Sequence, residues 1–375
     1  MKENSKKRIL ICGNYGASNL GDEAILAGLI VLVKSTFPGT KILAMSSDIN
    51  ETEKAHRLKA IWHFPTGFRS FFGYWFSLLG WKSLSEVTRA DLVLLGGGGL
   101  FADENPRAVW IWFVQFCWFW ILRKKVVCIA QSVGPLNTKL GRILTRFVFK
   151  RAAAVTVRDA QSKVLLESLG IKNVEVLADP AYAIGYQNEA ALNRQKQVVL
   201  TLRPWSKEHD SKINGILADF ILWLREKHDL ETLFLAFQTD HVDDRLRYNQ
   251  IKDVLGKNSA GFKLVIPEDY SQAVEIIGRS EAVIGMRLHS IIFAVLGRTP
   301  FLGISYSKKV RDFIETIGLS DFSLNYESVT LEQLEQRFES LVLKKSDVVL
   351  KMEKAKLKYT YEFFRHEKIL QKVMN

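Results

Sequence analysis

Ile284-Gly-Met-Arg-Leu-His289 sets an arginine and a histidine two residues apart, where an apolar strand-like run gives way to a helical pattern. Cations in the first turn of a helix face its positive end, which is locally unfavourable. The arrangement makes sense if an anion sits between Arg287 and His289. His289 is also a titratable group that could move a proton at neutral pH. Further cations follow strand-like runs: Arg203 in Leu-Arg-Pro-Trp205, Lys308 and Lys309 after Ser305-Tyr306, and Arg158 in Val157-Arg158-Asp159. Residue type alone leaves Arg158 open between a ligand-facing role and a surface pair with Asp159.

Glycine-rich turns form the second group. Gly13-Asn-Tyr-Gly-Ala-Ser-Asn-Leu-Gly-Asp-Glu23 comes straight after a first strand-like run, and Gly96-Gly-Gly-Gly99 ends another. Such turns let a backbone approach a ligand closely, and the helix after the first offers free N–H groups to an anion. Gly16, Asn19, Gly21 and Asp22 from the first turn, and Gly97, Gly98, Asp103 and Arg107 around the second, are candidate contacts for a polar substrate. The spacing is neither G-x-G-x-x-G nor a Walker A loop, so a nicotinamide or ATP site is poorly supported. The 7 histidines are scattered without metal-ligand spacing, which argues against a metal site. No G-x-S-x-G elbow and no nucleic-acid-binding signature is present.

The elements that must position these residues alternate. Arg8–Cys12, Lys41–Met45, Asp91–Leu95, Val126–Ala130, Ala154–Val157 and Val174–Leu177 read as strands with helical patterns between them. This is the signature of a parallel sheet covered by helices. The polar stretch 185–197 interrupts it, and the alternation restarts at Val198–Leu202. The expected organisation is an α/β domain over 1–184, a linker over 185–197, a second α/β domain over 198–330 and a helical tail over 331–375, with Phe363, Phe364 and Leu370 as docking residues. A length of 375 residues suits two such domains. Ligands of these folds sit at the carboxyl ends of the strands.

Charge is uneven. The net charge is +12, and residues 1–182 carry 24 Lys and Arg against 14 Asp and Glu, which makes the first half the basic one. That suggests a phosphate-bearing or anionic partner. Two stretches, Ile61–Lys82 and Val109–Leu122, hold seven of the nine tryptophans. A 14-residue helix over the second spans roughly 21 Å, short of the ~30 Å core of a bilayer. Trp, Phe and basic residues together suit a membrane interface. The first stretch, broken by Pro65, Gly67 and Gly73, reads as interfacial; the second reads equally as a core helix. No signal-peptide pattern precedes the first strand, and three cysteines in apolar runs point to a reducing cytosol.

Taken together, GNYGASNLGDEAIL (13–26), LGGGGLFAD (95–103), QSVGP (131–135), VRD (157–159), ADPAY (178–182), LRPW (202–205) and GMRLHSIIFAVLGRTPFLGISYSKKV (285–310) resemble the polysaccharide pyruvyl transferase family, including CsaB-like enzymes, in the family's order. The resemblance implies two Rossmann-like domains facing across a cleft, as in GT-B glycosyltransferases. It implies transfer of pyruvate from phosphoenolpyruvate, a co-substrate, onto a sugar as a ketal, with no other cofactor and no metal. Arg287, Leu288, Lys309 and Arg203 would bind the donor, and His289 and Arg158 would be catalytic. The glycine turns of the first half would hold the glycan or lipid-linked acceptor. The enzyme would work in the cytoplasm, peripherally on an anionic membrane surface and without nucleic acid. Departures from the pattern are Ala102, where family members often carry Gln, and Ser-Lys-Lys in place of Asp-Pro-Lys at 307–309. The competing reading is a GT-B glycosyltransferase that uses a nucleotide sugar.

Overall fold

The computed structural model describes residues 7–104, 106–186, 194–240 and 242–375. The chain divides into two compact units: Met1–Ala17, Asp22–Gln187 and Tyr359–Asn375 form the first, and Ser18–Gly21 with Asn188–Lys358 form the second.

The first unit contains β1 (Arg8–Cys12), α1 (Leu20–Thr36), β2 (Lys41–Ser46), α2 (Ile49–His56), β3 (Lys59–Trp62), α3 (Phe68–Trp75), α4 (Leu78–Thr88), β4 (Leu92–Phe101), α5 (Pro106–Ile121), β5 (Lys125–Val133), α6 (Lys139–Arg151), β6 (Ala154–Val157), α7 (Ala160–Ser168) and β7 (Val174–Val176). Its seven strands run in the order β3-β2-β1-β4-β5-β6-β7, and the recorded pairings are parallel. The strands are buried apolar runs because helices cover the sheet, which is what a parallel sheet requires. The order reverses at β1, the usual place for a ligand in a doubly wound sheet.

The second unit contains β8 (Gln195–Thr201), α8 (Lys207–His228), β9 (Glu231–Leu235), α9 (Arg245–Leu255), β10 (Phe262–Val265), α10 (Tyr270–Gly278), β11 (Ser280–Gly285), α11 (Leu288–Gly297), β12 (Phe301–Ser305), α12 (Lys308–Thr316), β13 (Ser323–Asn325) and α13 (Leu331–Leu343). The strand order is β10-β9-β8-β11-β12-β13, again parallel. Two helices close the chain, α14 (Lys345–Phe364) and α15 (His366–Met374).

The structure differs from the sequence reading in two places. The tail is not one appendage: residues 331–358 belong to the second unit, and Tyr359–Asn375 return to the first. There Phe363 and Leu370 are buried, and the buried His366 bonds Thr156 Oγ1 at 2.9 Å. The division between units falls within the expected linker, whose residues 187–193 lie outside those described. The tetraglycine does not end β4 but continues it, with Gly96 opposite Ile129 and Gly98 opposite Gln131. Gly97 and Gly98 hold φ of 74° and 88°, which a side chain would resist. A Cβ on Gly97 would also strike Ile25 of α1. Those glycines let β4 stay paired while passing under the helix.

Candidate functional site

In each unit the motifs gather at the carboxyl edge of its own sheet. In the second, Thr201, Gly285 and Gly303 stand side by side on β8, β11 and β12. Two residues further on, the chain reaches Arg203, Arg287 and Ser305. Parallel register therefore brings the LRPW, GMRLH and SYSKK motifs to one edge. Arg287 is the N-cap of α11, with extended φ and ψ of −87° and 137°, and His289 lies in the first turn. Leu288 and His289 are half-buried. A Cβ on Gly21 would collide with the His289 ring, so the first glycine turn presses against that side chain. Next to it Leu20 N–H donates to Phe237 O at 3.0 Å, and Asn19 bridges to Gln238. Residues 18–21 belong to the second unit, so Gly21 and Asn19 lie beside His289 and Gln238 within it.

Arg287 has an anionic partner within the chain. Arg287 Nη2 pairs with Asp244 Oδ1, and Nε donates to Oδ2 at 3.0 Å. Asp244 is fully buried, and its Oδ2 also accepts the N–H groups of Phe237 and Gln238 at 3.0 and 3.1 Å. Burial pushes the Asp244 carboxyl above its usual range, against the pull of the Arg287 guanidinium and those N–H groups. Sequence reasoning missed Asp244. Asp243-Asp244 before α9 reads as an ordinary helix cap, and no spacing links it to an arginine 43 positions later.

Arg203 is in a different state. Among the described residues no carboxylate pairs with it. Its Nη1 donates to the Tyr306 hydroxyl at 3.3 Å, and its guanidinium lies 5.4 Å from both the Trp205 and Tyr306 ring centres. Its buried Nε has no hydrogen-bond partner among the described residues. The cation is therefore held by aromatic faces, which leave its charge uncancelled. Tyr306 also lines a pocket of about 430 Å³, which carries Lys308 and Arg311 and also Glu315 and Glu327. The matched Lys309 stands half-buried in the first turn of α12, with the exposed Lys308 beside it.

The first unit uses its polar motif residues internally. Arg158 follows β6 and pairs with buried Asp179 of the ADPAY motif, so the surface pair with Asp159 does not form. Asp159 instead caps α7 and accepts the Ser132 hydroxyl at 2.8 Å. Asp103 accepts the N–H groups of Asn137 and Thr138 and the Thr138 hydroxyl, each at 2.7 Å. Burial pushes its carboxyl up, but these hydrogen bonds outweigh burial and hold it below the usual range. Its role in the structure is to fix the 137–138 loop. Asp22 accepts the Asn14 amide at 2.9 Å, and Glu23 accepts Gly16 N–H at 2.8 Å. A Cβ on Gly98 would stand 3.2 Å from Asp22 Oδ1, so the two glycine motifs meet at Asp22. Arg107 is exposed in the first turn of α5.

Two Rossmann-like α/β domains in one chain are the fold of the GT-B glycosyltransferases and epimerases. Over 98% of this chain and 99% of the other, the structure is similar to a UDP-GlcNAc 2-epimerase from Neisseria meningitidis bound to UDP-GlcNAc, with a TM-score of 0.64 and 14% identity. It is also similar to a glycosyltransferase from Rickettsia africae, with a TM-score of 0.60 and 16% identity over 99% of both chains. The family is narrower than the fold: the chain belongs to the polysaccharide pyruvyl transferases, whose family model matches residues 19–308. A curated relative is the amylovoran biosynthesis protein AmsJ of Erwinia amylovora, 24% identical, covering 86% of this chain and 89% of AmsJ. The protein is thus a polysaccharide-modifying transferase by family.

Proposed function

We propose that the protein transfers the pyruvyl group of phosphoenolpyruvate onto two hydroxyls of one sugar, in a cell-surface polysaccharide or its lipid-linked precursor, and closes a pyruvate ketal. The observation that carries this reading is the shared carboxyl edge where register sets Arg203 and Arg287-Leu288-His289 side by side. Phosphoenolpyruvate carries a phosphate and a carboxylate, and guanidinium suits both. Arg203 supplies uncancelled charge, Lys309 adds a second cation, and Arg287 and Leu288 shape the α11 end of the site.

His289 is the general acid. It protonates C3 of the enol, and C2 becomes electrophilic. One sugar hydroxyl adds to C2, the C2–O bond to phosphate breaks with its electron pair, and the second hydroxyl closes the ring. Of the two hydroxyl protons, one restores His289 and the other leaves on phosphate. The sequence needs no redox cofactor and no metal. The acceptor side is assigned to the first unit's turns around Gly16, Asp22, Gly97 and Gly98, with Asn19 and Gly21 beside His289. Arg158 acts by holding the 158–179 region through Asp179. Transfer takes place at the cytoplasmic face of an anionic membrane, where a lipid-linked acceptor would be presented.

His289→Gln should bind phosphoenolpyruvate but lose roughly 10²–10⁴-fold in kcat, read as phosphate release in the presence of acceptor. A variant with wild-type turnover would remove His289 from the chemistry. A nucleotide sugar that raises the melting temperature, when phosphoenolpyruvate does not, would replace this reading with that of a glycosyltransferase.

A further inference from the structure

We propose that one face of the first unit, made by the α3–α4 turn, the outward stripe of α5 and the outer side of α6, seats the protein on an anionic bilayer. This rests on the membrane-side location proposed above and assigns it to particular side chains. In the turn, Phe76 is 88% exposed and Leu78 81% exposed, with Phe72, Leu79 and Trp81 also open to solvent. The turn is held in place beneath them. Trp75 packs between Trp81 and Trp118, at 5.2 and 5.7 Å between ring centres, and Trp81 Nε1 donates to Trp75 O at 2.9 Å. Large apolar side chains are thus presented outward by a packed base.

Helix α5 divides lengthwise. Val109, Trp112, Phe116 and Phe119 are buried, whereas Trp110 and Ile121 are exposed, with Val114 and Cys117 half-buried between them at helical spacing. The sequence left this segment open between a core helix and an interfacial one; its inner stripe is core and its outer stripe is open to solvent. One flank of α5 carries Trp118, against Trp75 of α3. Phe113 and Trp120 meet Phe147 of α6 at 5.4 and 5.7 Å. So α5 joins α3 to α6 in one surface. On α6 the exposed Leu140 and Ile143 stand among exposed Lys139, Arg142, Arg146 and Lys150.

Charge decides what covers this face. Residues 68–85 and 105–151, which carry α3, most of α4, α5 and α6, contain eleven Lys and Arg and no Asp or Glu, and the rest of the chain carries a net +1. Nearly all of the basic excess belongs to the segments that build the face. Exposed apolar groups alone would suit a protein partner equally well. Interleaved with Trp and with cations over acid-free segments, they match a headgroup boundary, where rings enter the interface and cations meet anionic lipid. No helix among the described residues is long and apolar enough to cross a membrane, so the mode is interfacial.

The test is co-sedimentation of the full chain at low salt with vesicles of phosphatidylglycerol and phosphatidylcholine in equal parts, and with phosphatidylcholine alone. The wild type should pellet with the anionic vesicles and much less with the neutral ones, and salt should weaken binding. Phe76→Ser with Leu78→Ser, and separately Arg142→Glu with Arg146→Glu, should each lower partitioning by roughly tenfold or more. Both pairs should keep the wild-type urea midpoint, because the side chains are exposed. If the wild type binds anionic vesicles and both folded variants bind equally well, this face is the wrong one and the membrane location stands. If the wild type ignores anionic vesicles, both the face and the location fall, while the donor chemistry is untouched. Equal binding to neutral vesicles would overturn the charge argument.

Discussion

Each unit ends a strand with an arginine clamped to a buried aspartate, Arg158 to Asp179 in the first and Arg287 to Asp244 in the second. Beyond the clamp the two edges diverge. In the first unit Asp22, Glu23, Asp103 and Asp159 all accept hydrogen bonds from within the unit: Asp22 and Glu23 from the first glycine turn, Asp103 from the 137–138 loop and Asp159 from Ser132. In the second, Arg203 keeps its charge uncancelled beside Tyr306 and the pocket there. The difference teaches that a strand-end arginine in a motif is not by itself a ligand for an anion. The clamps build loops. Arg203, which pairs with no carboxylate among the described residues, is the one positioned to change its partner, as the donor site proposed above requires.

The sharpest way to break this comparison is to cut the clamps. Arg287→Ala leaves the buried Asp244 carboxylate with, among the described residues, only backbone partners, and loss of one member of a buried pair costs about 3–5 kcal/mol. Arg158→Ala should behave alike through Asp179. Urea unfolding followed by circular dichroism would show a large drop in midpoint for both. Wild-type midpoints would mean that neither pair is a clamp and that both arginines are free to bind ligand.

Acid should act on the first unit through two histidines, the half-buried His63 and the fully buried His366. His63 Nε2 bonds Gly13 O at 3.0 Å, and His366 lies between Phe363 O and the Thr156 hydroxyl at 2.7 and 2.9 Å. The Phe363 carbonyl can only accept, so Nδ1 carries the proton and Nε2 accepts from Thr156. Burial lowers both histidines to about 4. The unfolded chain protonates them near their ordinary 6.5, so acid favours unfolding. The stability they contribute is complete above that value and is lost as pH falls toward 4, on the order of 3 kcal/mol for each. His366→Gln should flatten part of the slope of stability against pH between those limits. An unchanged slope would show that His366 is not held neutral.

How much of this was legible beforehand follows the range of the interactions. The strands were legible because parallel strands buried on both faces are unbroken apolar runs, as in Ile9–Cys12 and Leu92–Leu95. The motifs were legible as a set because strand ends carry glycine and charge together. What escaped was the pairing. Arg287 meets Asp244 across 43 residues and Arg158 meets Asp179 across 21, and no local period encodes either contact. The returning tail escaped for the same reason: Thr156 and His366 are 210 residues apart. The outward and inward stripes of α5 were hidden because both are apolar, and only the packing of Phe147 and Trp75 around the helix tells them apart.

The smallest expected effect on stability is also the most informative about function. Arg203→Ala removes no ion pair among the described residues. It ends one 3.3 Å hydrogen bond and two cation–aromatic contacts at a half-buried side chain. The urea midpoint should therefore move little, in contrast to Arg287→Ala. Donor affinity should move: a charge-assisted contact is worth about 1.5–3 kcal/mol, or roughly 10- to 150-fold in Kd for phosphoenolpyruvate by calorimetry. Arg203→Lys keeps the charge but loses the planar fork, so it should recover only part of the affinity. Wild-type affinity in a folded Arg203→Ala protein would leave the second unit's edge with no distinguished cation, and the contrast drawn between the two edges would fail at its central residue.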